Sequence, residues 1–175
     1  MHAIVPDGFA EFRSRIASPA LQAIADHWHQ VRADRPMPAW SDLSPTRLGP
    51  HLKLLWSFKY DPETQDFTAR LAGNRVMMCL GQSFRGTPLK ELHPPHVYEG
   101  ARAHMARVVC EPAFAYCSGN LFKLGSQFVQ GERIFFPLAA DGRNGDGVLG
   151  ASDFQYRPGS GPVELVLDKV AWFSV

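Results

Sequence analysis

Cysteine is scarce in this chain. There are three, Cys79, Cys110 and Cys117, an odd number with no paired framework. That excludes a disulfide-stapled scaffold and suits a reducing compartment. An excess of charge of one sign is missing too: 18 Lys and Arg face 17 Asp and Glu, a net charge of +1. Such a balance gives no electrostatic reason to expect nucleic acid or an anionic membrane as partner. Long apolar runs are absent, since no stretch approaches the roughly 20 residues that span a bilayer. The opening Met1-His2-Ala3-Ile4-Val5-Pro6-Asp7-Gly8 has no basic segment followed by an apolar one. The expectation is a soluble cytoplasmic chain.

Catalytic signatures are missing as well. No G-x-S-x-G elbow occurs, and Ser83 in Gly81-Gln82-Ser83-Phe84 lacks the second glycine. Gly81 and Gly86 form no phosphate loop, because no Gly-Lys-Ser/Thr follows them. Among the seven histidines, His93-Pro94-Pro95-His96 has a two-residue gap with His104 beyond it, but the two prolines forbid a helix between His93 and His96. Cys110 and Cys117 are too far apart in sequence for a short-spaced zinc pair. No metal site and no catalytic residue is therefore expected. A small enzyme using His93, His96 or His104 as acid or base is the alternative, weakened by the lack of a companion carboxylate or nucleophile.

What is present is the texture of one ordinary domain: 175 residues, 45% hydrophobic and 20% charged. Residues 1–17 read as a lead-in. Ser18-Pro19 supplies an N-cap and a proline at the first helical position, and Leu21, Ile24, Ala25, Trp28 and Val31 follow as one apolar stripe. Strands are expected over Leu52–Phe58 and Phe67–Ala72, then a short helix over Asn74–Leu80 closed by Gly81, then a longer helix over His96–Val109. Strands over Phe114–Phe122, Phe128–Leu138 and Val148–Tyr156 form an antiparallel meander, turning at Asp141-Gly142 and Asn144-Gly145. Residues 18–157 are thus the domain, and 158–175 a Gly/Pro linker with an apolar tail of undetermined form. The fold class is α+β, with an antiparallel five-stranded sheet, helices on one face and an N-terminal flanking helix.

This element order, with its local words, resembles a family of bacterial stand-alone PAS-like domains long catalogued as of unknown function. The words are Trp28 and Arg32, Pro38, Asp42 and Pro45, Phe67-Thr68-Ala69-Arg70-Leu71-Ala72-Gly73, Leu80-Gly81-Gln82-Ser83-Phe84-Arg85-Gly86-Thr87-Pro88-Leu89, and Phe136-Pro137-Leu138-Ala139-Ala140-Asp141-Gly142. There is one departure. The family usually carries Arg two residues after the proline that matches Pro38, and here Trp40 stands there. Gly73 and Gly81 sit where positive φ or close backbone approach is expected. Asp42 and Arg70 are either an ion pair tying the N-terminal connection to the sheet or two solvated charges.

The resemblance implies a sensory or regulatory module that binds a small hydrophobic ligand, a signalling protein such as a histidine kinase, or both. Val76, Leu80, Phe84, Leu89, His104, Met105 and Phe136 are the candidate ligand-binding residues, as apolar side chains around a small space with few polar anchors. Phe67, Leu71, Phe114 and Phe122 are further candidates for that space. No cofactor is assigned. Haem-carrying PAS proteins take an axial His from the connecting helix, which here offers only the boundary residue His104. Light-sensing relatives need a Cys in an Asn-Cys-Arg-Phe type word, and here the neighbours are Met78-Cys79-Leu80-Gly81. Both haem and flavin are disfavoured. A homodimer is expected through the N-terminal helix with Trp28 and the tail with Trp172 and Phe173, and a structural dimerisation domain with a filled core is a further alternative.

Overall fold

The computed structural model describes residues 8–80, 84–155 and 163–175, without the Leu80 side chain. Two helices come first, α1 (Gly8–Arg15) and α2 (Pro19–Arg32). Ser18 caps α2 as expected, its Oγ accepting from the Leu21 amide at 3.3 Å, with Pro19 in the first turn. Helix α3 (Pro45–Leu48) leads into a 3₁₀ segment, Gly49–Leu54. The strand expected from Leu52 therefore begins at Leu55, because Ser44, Pro45 and Pro50 start helical turns that run through Leu54. Strands β1 (Leu55–Asp61) and β2 (Asp66–Ala72) follow, then α4 (Asn74–Leu80), α5 (Leu89–Leu92) and α6 (Pro95–Cys110). The remaining elements are β3 (Ala113–Leu124), β4 (Gln127–Leu138), β5 (Gly147–Phe154), β6 (Val163–Leu165) and β7 (Ala171–Ser174).

All strand pairs are antiparallel, in the order β2-β1-β5-β4-β3. The α+β class and the antiparallel sheet agree with the expectation. Two strands join the expected five. The tail returns along the outer edge of β3, where Val163–Leu165 pair with Phe122–Leu124 and Ala171–Ser174 with Ala113–Tyr116. Covering that edge removes a row of unpaired backbone groups that could otherwise recruit another chain.

Side-chain alternation sends successive residues to opposite faces of the sheet, and each face has its own core. On one face Ile134, Phe136 and Leu138 of β4 and Leu149 and Ala151 of β5 meet α1 and α2. This core is dense with rings: Trp28 stacks on Phe136 at 5.5 Å and meets Phe114 edge-on at 5.1 Å, while Phe12 stacks on Phe114 at 5.0 Å. Trp28 Nε1 also donates to the Pro137 carbonyl at 3.0 Å, satisfying its one polar atom. The segment read as a lead-in carries Phe9, Phe12 and Ile16 into this core, all buried. On the other face Trp56, Phe58, Phe135 and Phe154 meet α4, α5 and α6.

Three readings change with the packing. Trp28 and Phe173 are buried within the chain's own core, so they are not the association surface expected of them. Asp42 does not pair with Arg70. It accepts from Arg35 Nη2 at 2.7 Å and from the Ala39 amide at 2.7 Å, and these bonds hold its carboxyl below the usual range, the backbone amide first. Arg70 instead lies 4.8 Å over the Trp40 ring, the residue that departs from the family pattern. Gly73 is required by close approach and not by positive φ: a Cβ there would run into the Leu52 carbonyl. Gly81 lies outside the described residues.

Candidate functional site

A cavity of about 60 Å³ lies between the sheet and α4, α5 and α6. Its floor is Trp56 and Phe58 of β1, Phe122 of β3, Arg133 and Phe135 of β4 and Ser152 of β5. Trp56 reaches its place because the residue opposite on β5 is Gly150, where any Cβ would collide with the indole. The cover begins with Val76 on α4, a helix tied to β5 by Arg75, which donates to Asp153 at 3.4 Å and to the Phe154 carbonyl at 3.3 Å. Backbone bonds along β2, from the Ala69 amide to Thr87 and from the Gly86 amide to Ala69, then bring Phe84 and Leu89 over the cavity. Ala101 and Met105 of α6, four residues apart, present one helical face to it. Leu165 and Leu167 of the returning tail close the remaining side.

The polar groups at the cavity wall are few. Arg133 is 1% exposed. Its Nε donates to Ser152 Oγ at 3.1 Å, Nη1 to the Val166 carbonyl at 3.0 Å and Nη2 to the Leu121 carbonyl at 3.1 Å. Ser152 Oγ also accepts from Trp56 Nε1 at 3.0 Å. Burial pushes the guanidinium pKa down to about 10, which leaves it charged at neutral pH. Beside it, burial first and the Arg133 charge second hold His93 down to about 4, so its ring is neutral. Burial pushes the Cys79 and Cys117 thiols up to about 11, so neither supplies a counter-charge. Carboxylates lie elsewhere. Glu132 accepts from the Ala17 and Ser18 amides and from the Tyr116 hydroxyl, and Asp153 from Ser18 Oγ, which fastens the start of α2 to the sheet.

A family profile described as PAS domain matches residues 16–152. The chain belongs to a PAS domain family. Comparison with curated proteins and with solved structures gave no significant match. The PAS match begins just after α1 and ends within β5, so it takes in α2, the helices α4, α5 and α6 and nearly all of the sheet except the returning tail.

Of the ligand-binding residues expected for this PAS domain, Val76, Phe84, Leu89 and Met105 line the cavity together. Leu80 and Phe136 do not join them in the described structure: the Leu80 side chain lies outside it, and Phe136 packs on the opposite face against Trp28. His104 is half-buried away from the cavity, bonded through Nδ1 to the Gly100 carbonyl at 2.7 Å and stacked on Trp172 at 5.7 Å. Phe122 lines the cavity, Phe67 packs in the same core, and Phe114 and Leu71 belong to the other face. The three histidines weighed as acid or base are separate: His93 is at the cavity, His96 lies 3.4 Å from Glu164 at the surface, and His104 is against Trp172. No group of three His, Cys, Asp or Glu suited to a metal ion occurs among the described residues. No helix among them is long and apolar enough to cross a membrane.

Sequence reasoning missed Arg133, Phe135, Ser152 and the tail leucines. A signal for the first two was available in the period of β4. In Arg133-Ile134-Phe135-Phe136 the odd and even positions face opposite ways, so placing Trp28 against Phe136 places Arg133 and Phe135 on the cavity side.

Proposed function

We propose that this PAS domain is a non-enzymatic sensory module that binds a small ligand in the cavity beneath α4, α5 and α6. The observation that carries the reading is the cavity itself, walled by apolar side chains from α4, α5, α6 and the segment around Phe84 and floored by a buried cation. Binding sites are commonly apolar with a few convergent polar groups, and here the polar groups are Arg133, His93 and Ser152. Catalysis is not favoured, because the cavity lining among the described residues has no carboxylate and no thiol, and its histidine is held uncharged.

The signal would pass through α4 to a signalling protein such as a histidine kinase. Helix α4 turns Val76 into the cavity while Met78 is 58% exposed, so one short helix touches both the ligand space and the solvent. Leu52, 36% exposed, is a second exposed apolar side chain, on the 3₁₀ segment that packs against α4. The test is a ligand-observed NMR screen of small compounds with the wild type and with Met105→Trp, which fills the space. Compounds that bind the wild type and are lost in the variant support the reading. A screen with no such compounds overturns it.

A further inference from the structure

Among the described residues Arg133 is a buried cation without a buried anion, and the chemistry of the cavity follows from that imbalance. An arginine carries five N–H donors. Three hydrogen bonds engage it, to Ser152 Oγ and to the Val166 and Leu121 carbonyls, so two donors have no acceptor among the described residues. All three acceptors are neutral. A charge removed from water is costly unless paired, and truncating or leaving one partner alone is the expensive arrangement. The ring of Phe122, 4.8 Å from the guanidinium, offsets part of that cost, and the two N–H groups left over are one on Nη1 and one on Nη2.

The shape of the space narrows the partner. On the measure in which one water needs roughly 10–15 Å³, the 60 Å³ cavity takes on the order of four to six non-hydrogen atoms. Phosphate-sized and sugar-sized anions need polar surroundings on every side, whereas here Phe84, Leu89, Ala101 and Met105 face the cation across the cavity. One anionic end and one short apolar end fit that wall. A planar carboxylate matches the guanidinium fork. His93, neutral in the folded protein, can give one N–H to the same carboxylate without adding a charge.

We infer that the cavity binds a short aliphatic monocarboxylate, its carboxylate on Arg133 and its alkyl end among Phe84, Leu89 and Met105. The inference rests on the ligand-binding reading above and names the ligand class for it. Propionate is the probe. Thermal melts of the full chain are titrated with sodium propionate, with sodium chloride at matched ionic strength and with propionamide, the uncharged analogue.

The expected result is a saturable rise in Tm with propionate, with little change from chloride or propionamide. Arg133→Met weakens the propionate effect on the order of tenfold to a hundredfold, the value of a charge-assisted hydrogen bond pair. Because Arg133 also bonds the tail and β3, that variant can fail to fold, and Met105→Trp then decides: it keeps the cation, fills the space and loses the propionate effect. No saturable rise with propionate, an equal rise with chloride, or a rise that survives Met105→Trp overturns the assignment. Stabilisation by propionamide alone, lost in Met105→Trp, overturns the carboxylate class while leaving the ligand cavity standing. Failure of the acid and of the neutral probe, with no compound lost in Met105→Trp in the NMR screen, overturns both.

Discussion

The two faces of one sheet are built differently. Beneath α1 and α2, the rings of Phe9, Phe12, Trp28, Phe114, Phe136 and Phe173 interlock, and the one indole N–H finds a backbone carbonyl. Beneath α4, α5 and α6 the same sheet carries an arginine, a serine and a cavity. The first arrangement is a packed interior, where the fit of large side chains holds the fold. The second is covered by the 16-residue α6 together with two helices of only 7 and 4 residues and a returning tail, and these short elements have little hydrogen bonding of their own. One face holds the structure and the other leaves room for something to enter.

The largest effect should come from the filled face. Trp28→Ala removes a fully buried indole and orphans the Pro137 carbonyl, and should cost about 3–5 kcal/mol in denaturant unfolding. A loss under about 1 kcal/mol would break the contrast between the faces.

The next effect is on acid stability and belongs to the cavity face. His93 has an ordinary pKa of 6.5 and is held to about 4 when folded. Above pH 6.5 the ring is neutral in both states and contributes nothing. As pH falls, the unfolded chain takes up the proton and the folded chain does not, so stability drops until about pH 4, by about 3 kcal/mol in all. Urea melts across this range should show that His93→Leu is less acid-sensitive than the wild type by about that amount. Parallel curves for the two proteins would count against a desolvated His93.

Much of this contrast was legible in the sequence. The Ser18-Pro19 cap, the stripe of Leu21, Ile24, Ala25 and Trp28, and the glycine and asparagine turns were local signals, and local chemistry decided those elements. The returning tail was not legible, because β6 and β7 have 3 and 4 residues and exist only by pairing with β3. Phe136 was assigned to the wrong face for a related reason: Phe135 and Phe136 are chemically alike, and only the strand's register decides which one meets Trp28. Arg133 was hidden by its type, since an arginine in a strand usually points to solvent. Asp42 and Arg70 carried the right charges for a pair, but Arg35, seven residues from Asp42, reached it instead.

The smallest effects test volume directly. Leu149→Phe enlarges a residue in the filled face and should cost about 1–3 kcal/mol by overpacking. Met105→Trp enlarges one at the cavity and should cost less than about 1 kcal/mol, because the added ring enters existing space. Equal costs in thermal melts would mean that the two faces are packed alike.

The central claim is that the cavity face receives a ligand and the filled face does not. Hydrogen exchange of the full chain, with and without saturating sodium propionate, tests it most directly. The account predicts slowed exchange confined to α4, α5, the Ala101–Met105 turn of α6 and the Val163–Leu167 return, with α1 and α2 unchanged. Unchanged exchange over all of these, or protection spread equally over α1 and α2, would contradict it.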